Sequence, residues 1–132
     1  MRYAIAILTF ALLGTSRYAH AGAGNCAQAG DQANMNACAD RSFKEADREL
    51  NKVYQALMGH MSEPAMANLL RAQRAWLAWR DAQCAFDTKN AQGGSAGFMA
   101  YSMCLTALTE AQTKHLAKQL NCPEGDITCS RH

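Results

Sequence analysis

The stretch Leu57-Met58-Gly59-His60-Met61-Ser62-Glu63-Pro64 decides the fold. Before it, Ala39, Phe43, Ala46, Leu50, Tyr54, Leu57 and Met61 recur at spacings of three and four, the apolar stripe of an amphipathic helix. After it, Met66, Leu70, Gln73, Leu77, Arg80 and Cys84 share one face of a second helix, with Trp76 on its flank. Gly59-His60 weakens the first helix; Ser62 is a good N-cap, and Pro64 is tolerated in a first turn. The chain therefore turns here. A first helix from Asp31, its own N-cap, to about Met61 is followed by a second from Glu63 to Asp87.

Working outward, Lys89-Asn90-Ala91-Gln92-Gly93-Gly94-Ser95 is a loop by composition. Ser95 is placed to cap a third helix, Ala96 to Leu120, with the stripe Phe98, Tyr101, Leu105, Leu108, Thr109, Gln112 and Leu116. A Cys-bearing tail runs from Asn121 to His132. Residues 22–30 are small and polar and read as an extended lead-in, the alternative being a short extra N-terminal helix. No strand alternation exceeds three residues and no repeat is present. The fold class that follows is all-α, an antiparallel three-helix bundle in one domain.

The first residues carry an address. Arg2 is followed by an apolar run from Ala4 to Gly14, too short to span a hydrocarbon core of about 30 Å as a helix. Ala19-His20-Ala21 then offers the small-x-small site of a signal peptidase. Residues 1–21 are expected to be a cleaved signal peptide and 22–132 the mature domain, soluble in a bacterial periplasm. Cys26 follows Gly24-Asn25 and lacks a lipid-attachment signal, so no membrane anchor is expected.

The formal charge of +2 changes meaning with that cleavage. Arg2 and Arg17 leave, Lys plus Arg falls from 13 to 11, and all 11 acidic residues remain, so the mature charge is zero. Nucleic acid is an unsuitable partner for such a chain, because phosphate binding needs clustered cations.

All six cysteines lie in the exported part, which reads as a disulfide framework. Hairpin geometry gathers Cys38, Cys84 and Cys104 at one end, within reach of Cys26. Three connectivities remain open; helical angles favour Cys26 with Cys38 and Cys84 with Cys104, while Cys122 and Cys129 close a tail loop. The same cysteines argue against chemistry. Cys122, Cys129 and His132 form only a weak zinc spacing, and an even count leaves no nucleophilic thiol. No nucleophile elbow, phosphate loop or paired carboxylate set is present. Neither a catalytic site nor a cofactor or metal is expected. The methionines suit core filling better than a binding groove. Of Trp76 and Trp79, three apart, only one fits inside, leaving the other as a possible partner anchor.

Two segments go beyond patterning. Asn34-Met35-Asn36-Ala37-Cys38-Ala39 is followed by Ala46-Asp47, Leu50-Asn51 and Tyr54, and Ala72-Gln73-Arg74-Ala75-Trp76-Leu77-Ala78-Trp79-Arg80-Asp81-Ala82-Gln83-Cys84 by Gly93-Gly94-Ser95 and Cys104-Leu105. In that order they resemble the LprI-type lysozyme-inhibitor family of small exported helical proteins, over about residues 26–129. The tail from Asn121 to Cys129 is similar to one on some members. The chain departs at Gln112, where the family usually carries Arg, and in lacking the lipid signal of some members.

The resemblance implies a periplasmic inhibitor whose partner is a lysozyme, most simply as a monomer. The alternative is a non-enzymatic binding or immunity protein for another periplasmic partner. An inhibitor must fill a cleft and offer donors to two carboxylates. The residues suited to this are Lys89, Asn90, Gln92, Gly93, Gly94 and Ser95, in a loop pinned by Cys84 and Cys104. The polar positions shared with the family read as structural: Asp47 on the first helix lies opposite Arg74 and Arg80 on the second, which predicts a partly buried ion pair.

Overall fold

The structure, a computed structural model, describes residues 23–129; the expected signal peptide lies outside them. Three helices make up the molecule: α1 (Gln32–Met58), α2 (Glu63–Asp87) and α3 (Gly97–Leu120). Asp31 caps α1 by accepting a hydrogen bond from the Asn34 N–H at 2.9 Å. Ser62 occupies the N-cap of α2, with proline in the first turn. The N-cap of α3 is Ala96, not Ser95, and no side chain caps it. Ser95 instead offers its carbonyl oxygen to the Asn36 side chain of α1, at 3.2 Å.

The lead-in is a 3₁₀ helix, Ala23–Gln28, rather than extended chain. Its Cys26 is buried and joined to Cys38 of α1, so the disulfide supplies the tertiary contact that the small polar sequence lacks.

The helices run up, down and up. Asn36 meets Ser95 at one end, and Leu57 packs with Leu116 at the other, so α1 and α3 are parallel and α2 is antiparallel to both. The closest pair is α1 with α3, not the α1–α2 hairpin neighbours. The reason is the size of the facing residues. Ala39 and Ala46 of α1 are buried, as are Ser102, Thr106 and Thr109 of α3, and small side chains let helix axes approach. The hydroxyl of Thr106 is satisfied within the helix, donating to the Ser102 carbonyl at 2.8 Å. At the other end, Leu50, Leu57 and Leu116 form the apolar core, with Tyr54, Leu69 and Trp76 against it.

The α2 face turned inward is unusual: its buried residues are Gln73, Arg80 and Cys84. Leu70, on the expected stripe, is exposed. Among the described residues no helix is long and apolar enough to cross a membrane.

Candidate partner-binding site

The connection between α2 and α3 is a built loop. The Thr88 N–H and hydroxyl both donate to the Cys84 carbonyl, at 3.1 and 2.7 Å, closing α2. Lys89–Ala91 is a single 3₁₀ turn, after which the Gln92 side chain donates back to the Ala85 carbonyl at 3.2 Å. Gly93 takes φ +84°, a region open to glycine at little cost, and the N–H groups of Gly94 and Gly97 donate back to the Ala91 and Gly94 carbonyls. Gly97 also has no room for a side chain: a Cβ there would sit 2.5 Å from the Ala91 carbonyl oxygen.

Two long-range ties hold this loop to the bundle. Cys84 and Cys104 are bonded across it, with Cα atoms 5.6 Å apart, and Asn36 holds Ser95 from α1. Within the loop Lys89, Asn90, Gln92, Gly93, Gly94 and Ser95 are all exposed. The structure thus brings these six together on one braced protrusion at the end of the bundle. Such bracing reduces the ordering cost of binding.

The remaining disulfide joins Cys122 to Cys129, so all six cysteines are paired. Cys122, Asp126 and Cys129 lie close enough to suggest ligands, but sulfurs joined to each other carry no thiolate. In that tail turn the Asp126 carboxylate accepts from the Thr128 N–H at 2.9 Å and from its hydroxyl at 2.7 Å. These bonds, the N–H first, hold its pKa below the usual aspartate value.

Of the residues expected in a structural ion pair, Asp47 and Arg80 approach, Nη1 to Oδ1, at 3.7 Å. Arg74 takes no part: it is exposed, and among the described residues it makes no ion pair. The correction is geometric. Six residues turn a helix through about 240°, so Arg74 and Arg80 cannot both face inward. The Arg80 guanidinium is buried, lies 5.3 Å from the ring centres of both Phe43 and Trp76, and donates to Thr109 Oγ1 at 3.3 Å. Its outer edge pairs with Asp81 at 2.8 Å. At position 112, Gln112 donates to the Gln73 side chain at 3.1 Å.

Beside the loop lie two exposed aromatics. Phe86, in the last turn of α2, is 75% exposed, and Phe98, expected in the core stripe of α3, is 53% exposed. Phe98 sits in the first turn of α3, and the buried part of its stripe begins at Leu105. Trp79 is 50% exposed, whereas Trp76 stacks on Arg80. The signal for Phe86 was present in the sequence: it lies seven residues after Trp79, on the same helical edge. At the opposite end, a groove of about 490 Å³ between α2 and α3 is lined by Leu57, Met61, Leu69, Gln112 and His115.

The family model of the lysozyme inhibitor LprI matches residues 23–116. The chain belongs to the LprI family. The match contains the 3₁₀ lead-in, all of α2 and the braced loop, and ends before the tail disulfide. An uncharacterized protein of Rhizobium meliloti (strain 1021) is 34% identical, the alignment covering 76% of this chain and 82% of the relative. No solved structure matches. The family is described by inhibition of lysozyme, and the described residues of this member are helical and joined by three disulfides.

Proposed function

We propose that this LprI-family protein is a periplasmic inhibitor that binds a peptidoglycan-cleaving lysozyme and blocks its cleft with the Lys89–Ser95 loop. The observation that carries the reading is the bracing of this loop: six exposed residues rich in donors, held by the Cys84–Cys104 bond and the Asn36–Ser95 contact. A lysozyme cleft holds an acid and a second carboxylate flanking the scissile bond. Lys89 and the Asn90 amide present donors of the kind such a pair accepts, while the Gln92 amide and the Gly94 N–H bond within the connection and hold its shape, and a blocking protein needs no chemistry of its own. Three disulfides suit an oxidising compartment and support export.

A second reading has one observation in its favour. The chain after residue 21 has zero formal charge, whereas an inhibitor of a basic lysozyme gains steering from acidity. That neutrality suits a binding or immunity protein for a different periplasmic partner. The test is inhibition by the double variant Lys89→Ala, Ser95→Ala against the unaltered mature protein. The loop reading expects the variant to lose at least about tenfold in affinity, each tenfold being about 1.4 kcal/mol. Equal inhibition by both proteins overturns the role of the loop.

A further inference from the structure

The loop is too small to be a whole interface. A stable complex buries about 800 Å² per partner over some 20–30 residues, so seven loop positions supply roughly a quarter to a third of it. The remainder has to come from surface continuous with the loop. Three elements adjoin it. The start of α1 is polar and carries the exposed Asp31 and Asn34. The start of α3 contributes Phe98. The end of α2 offers more, since Gln92 and Thr88 bond the loop directly onto its last turns.

That edge of α2 is apolar from Ala75 to Phe86, with Arg71 flanking its far end. Ala72, Ala75, Trp79, Ala82 and Phe86 follow at spacings of three, four, three and four, and every one is exposed. It extends about 21 Å from Phe86 back to Ala72 at the ordinary helical rise. Near the loop the charges of α2 lie off it: Asp81 is occupied by Arg80, and Asp87 accepts from Gln83 at 2.8 Å, while Arg71 at the far end donates to Asn68 at 2.6 Å. Trp79 is half-exposed, Phe86 more so, and neither belongs to the leucine cluster or packs against it.

We infer that the Trp79–Phe86 edge of α2 is the apolar half of the lysozyme-binding surface, contacting the walls of the cleft while the Lys89–Ser95 loop meets its carboxylates. The inference rests on the proposed function. Its occupant follows from area and chemistry. Ligand sites are lined mainly by apolar and aromatic side chains, and sugar-binding subsites beside the carboxylates offer such a wall to Phe86 and Trp79. A second copy fits less well: a strip about 21 Å long and one helix edge wide, mostly alanine, falls short of the roughly 800 Å² per partner that a stable dimer buries.

The experiment compares inhibition of chicken-type, goose-type and invertebrate-type lysozymes by the mature protein and by Trp79→Ala, Phe86→Ala and Ala82→Lys. Ala82→Lys adds a charge at the centre of the edge and removes no packing. Thermal unfolding and light scattering are measured on each protein. Each variant is expected to weaken inhibition at least about thirtyfold, as buried aromatic anchors do, with an unchanged melting midpoint and a monomeric mass throughout. Unaltered inhibition by the three variants, with a potent parent protein, overturns this inference and leaves the proposed function standing. A parent protein that inhibits none of the enzymes overturns both. A dimeric parent made monomeric by Ala82→Lys assigns the edge to self-association and also overturns it.

Discussion

The guanidinium of Arg80 touches all three helices: it stacks on Phe43 of α1 and Trp76 of α2 and donates to Thr109 of α3. Its carboxylate partners are half-exposed, so the stacking and the buried hydrogen bond matter more than Coulomb attraction. Arg80→Lys keeps the charge but loses the planar fork, and is expected to cost about 2 kcal/mol in urea unfolding. Arg74→Ala is expected to change stability by less than about 0.5 kcal/mol, as exposed positions do. An equal cost at the two positions contradicts this assignment. The sequence marked both arginines as candidates because hairpin register gives height along the bundle; only the helical angle separates them. A finer residue effect concerns Asp126. Because Thr128 stabilises the charged form, the carboxyl titrates below an ordinary aspartate. Its contribution to the tail turn is present at neutral pH and is lost as pH falls through that lowered midpoint. In an NMR titration, Thr128→Ala should raise the midpoint partway, since the backbone N–H bond remains.

At the scale of the element, the disulfides divide by what they close. Cys84–Cys104 spans a separation of 20 residues and joins α2 to α3. Replacing both cysteines by alanine is expected to cost about 3 kcal/mol in the chain-entropy picture. Cys122–Cys129 closes only its own turn, outside the three helices, and its removal should leave the main unfolding transition within about 0.5 kcal/mol. Calorimetry on the two variants reads the difference; equal shifts contradict the division. The helix bounds were largely legible, α2 to the residue, because Gly59, Ser62, Pro64 and the Gly93-Gly94 pair punctuate strongly. The lead-in was not. Its 3₁₀ form is held by a tertiary bond from Cys26, which no local pattern encodes. Likewise, that α1 lies closest to α3 depends on alanines facing serine and threonine across the bundle, a match between distant segments.

For the whole molecule, the division of labour is spatial. One end holds the leucine core and the α1–α2 turn, and the other holds the braced loop with Phe86 and Phe98 beside it. The loop was legible as a donor-rich segment; of its aromatic flank Phe86 was readable from its spacing to Trp79, whereas Phe98 continued a helical stripe and its exposure is set by the tertiary packing. Zero formal charge after residue 21 has a kinetic consequence. The association rate with a basic lysozyme should change by less than about threefold between low and moderate salt, measured by stopped flow, since net-charge steering is absent. A steep fall with salt contradicts that view and points to a charged patch at the interface. The central claim, inhibition of a lysozyme, is tested most directly by clearing of a peptidoglycan suspension in the presence of the disulfide-bonded protein spanning residues 22–132. The account predicts dose-dependent loss of clearing for at least one lysozyme type, reaching completion near equimolar protein. Undiminished clearing by chicken-type, goose-type and invertebrate-type enzymes at large molar excess would contradict it.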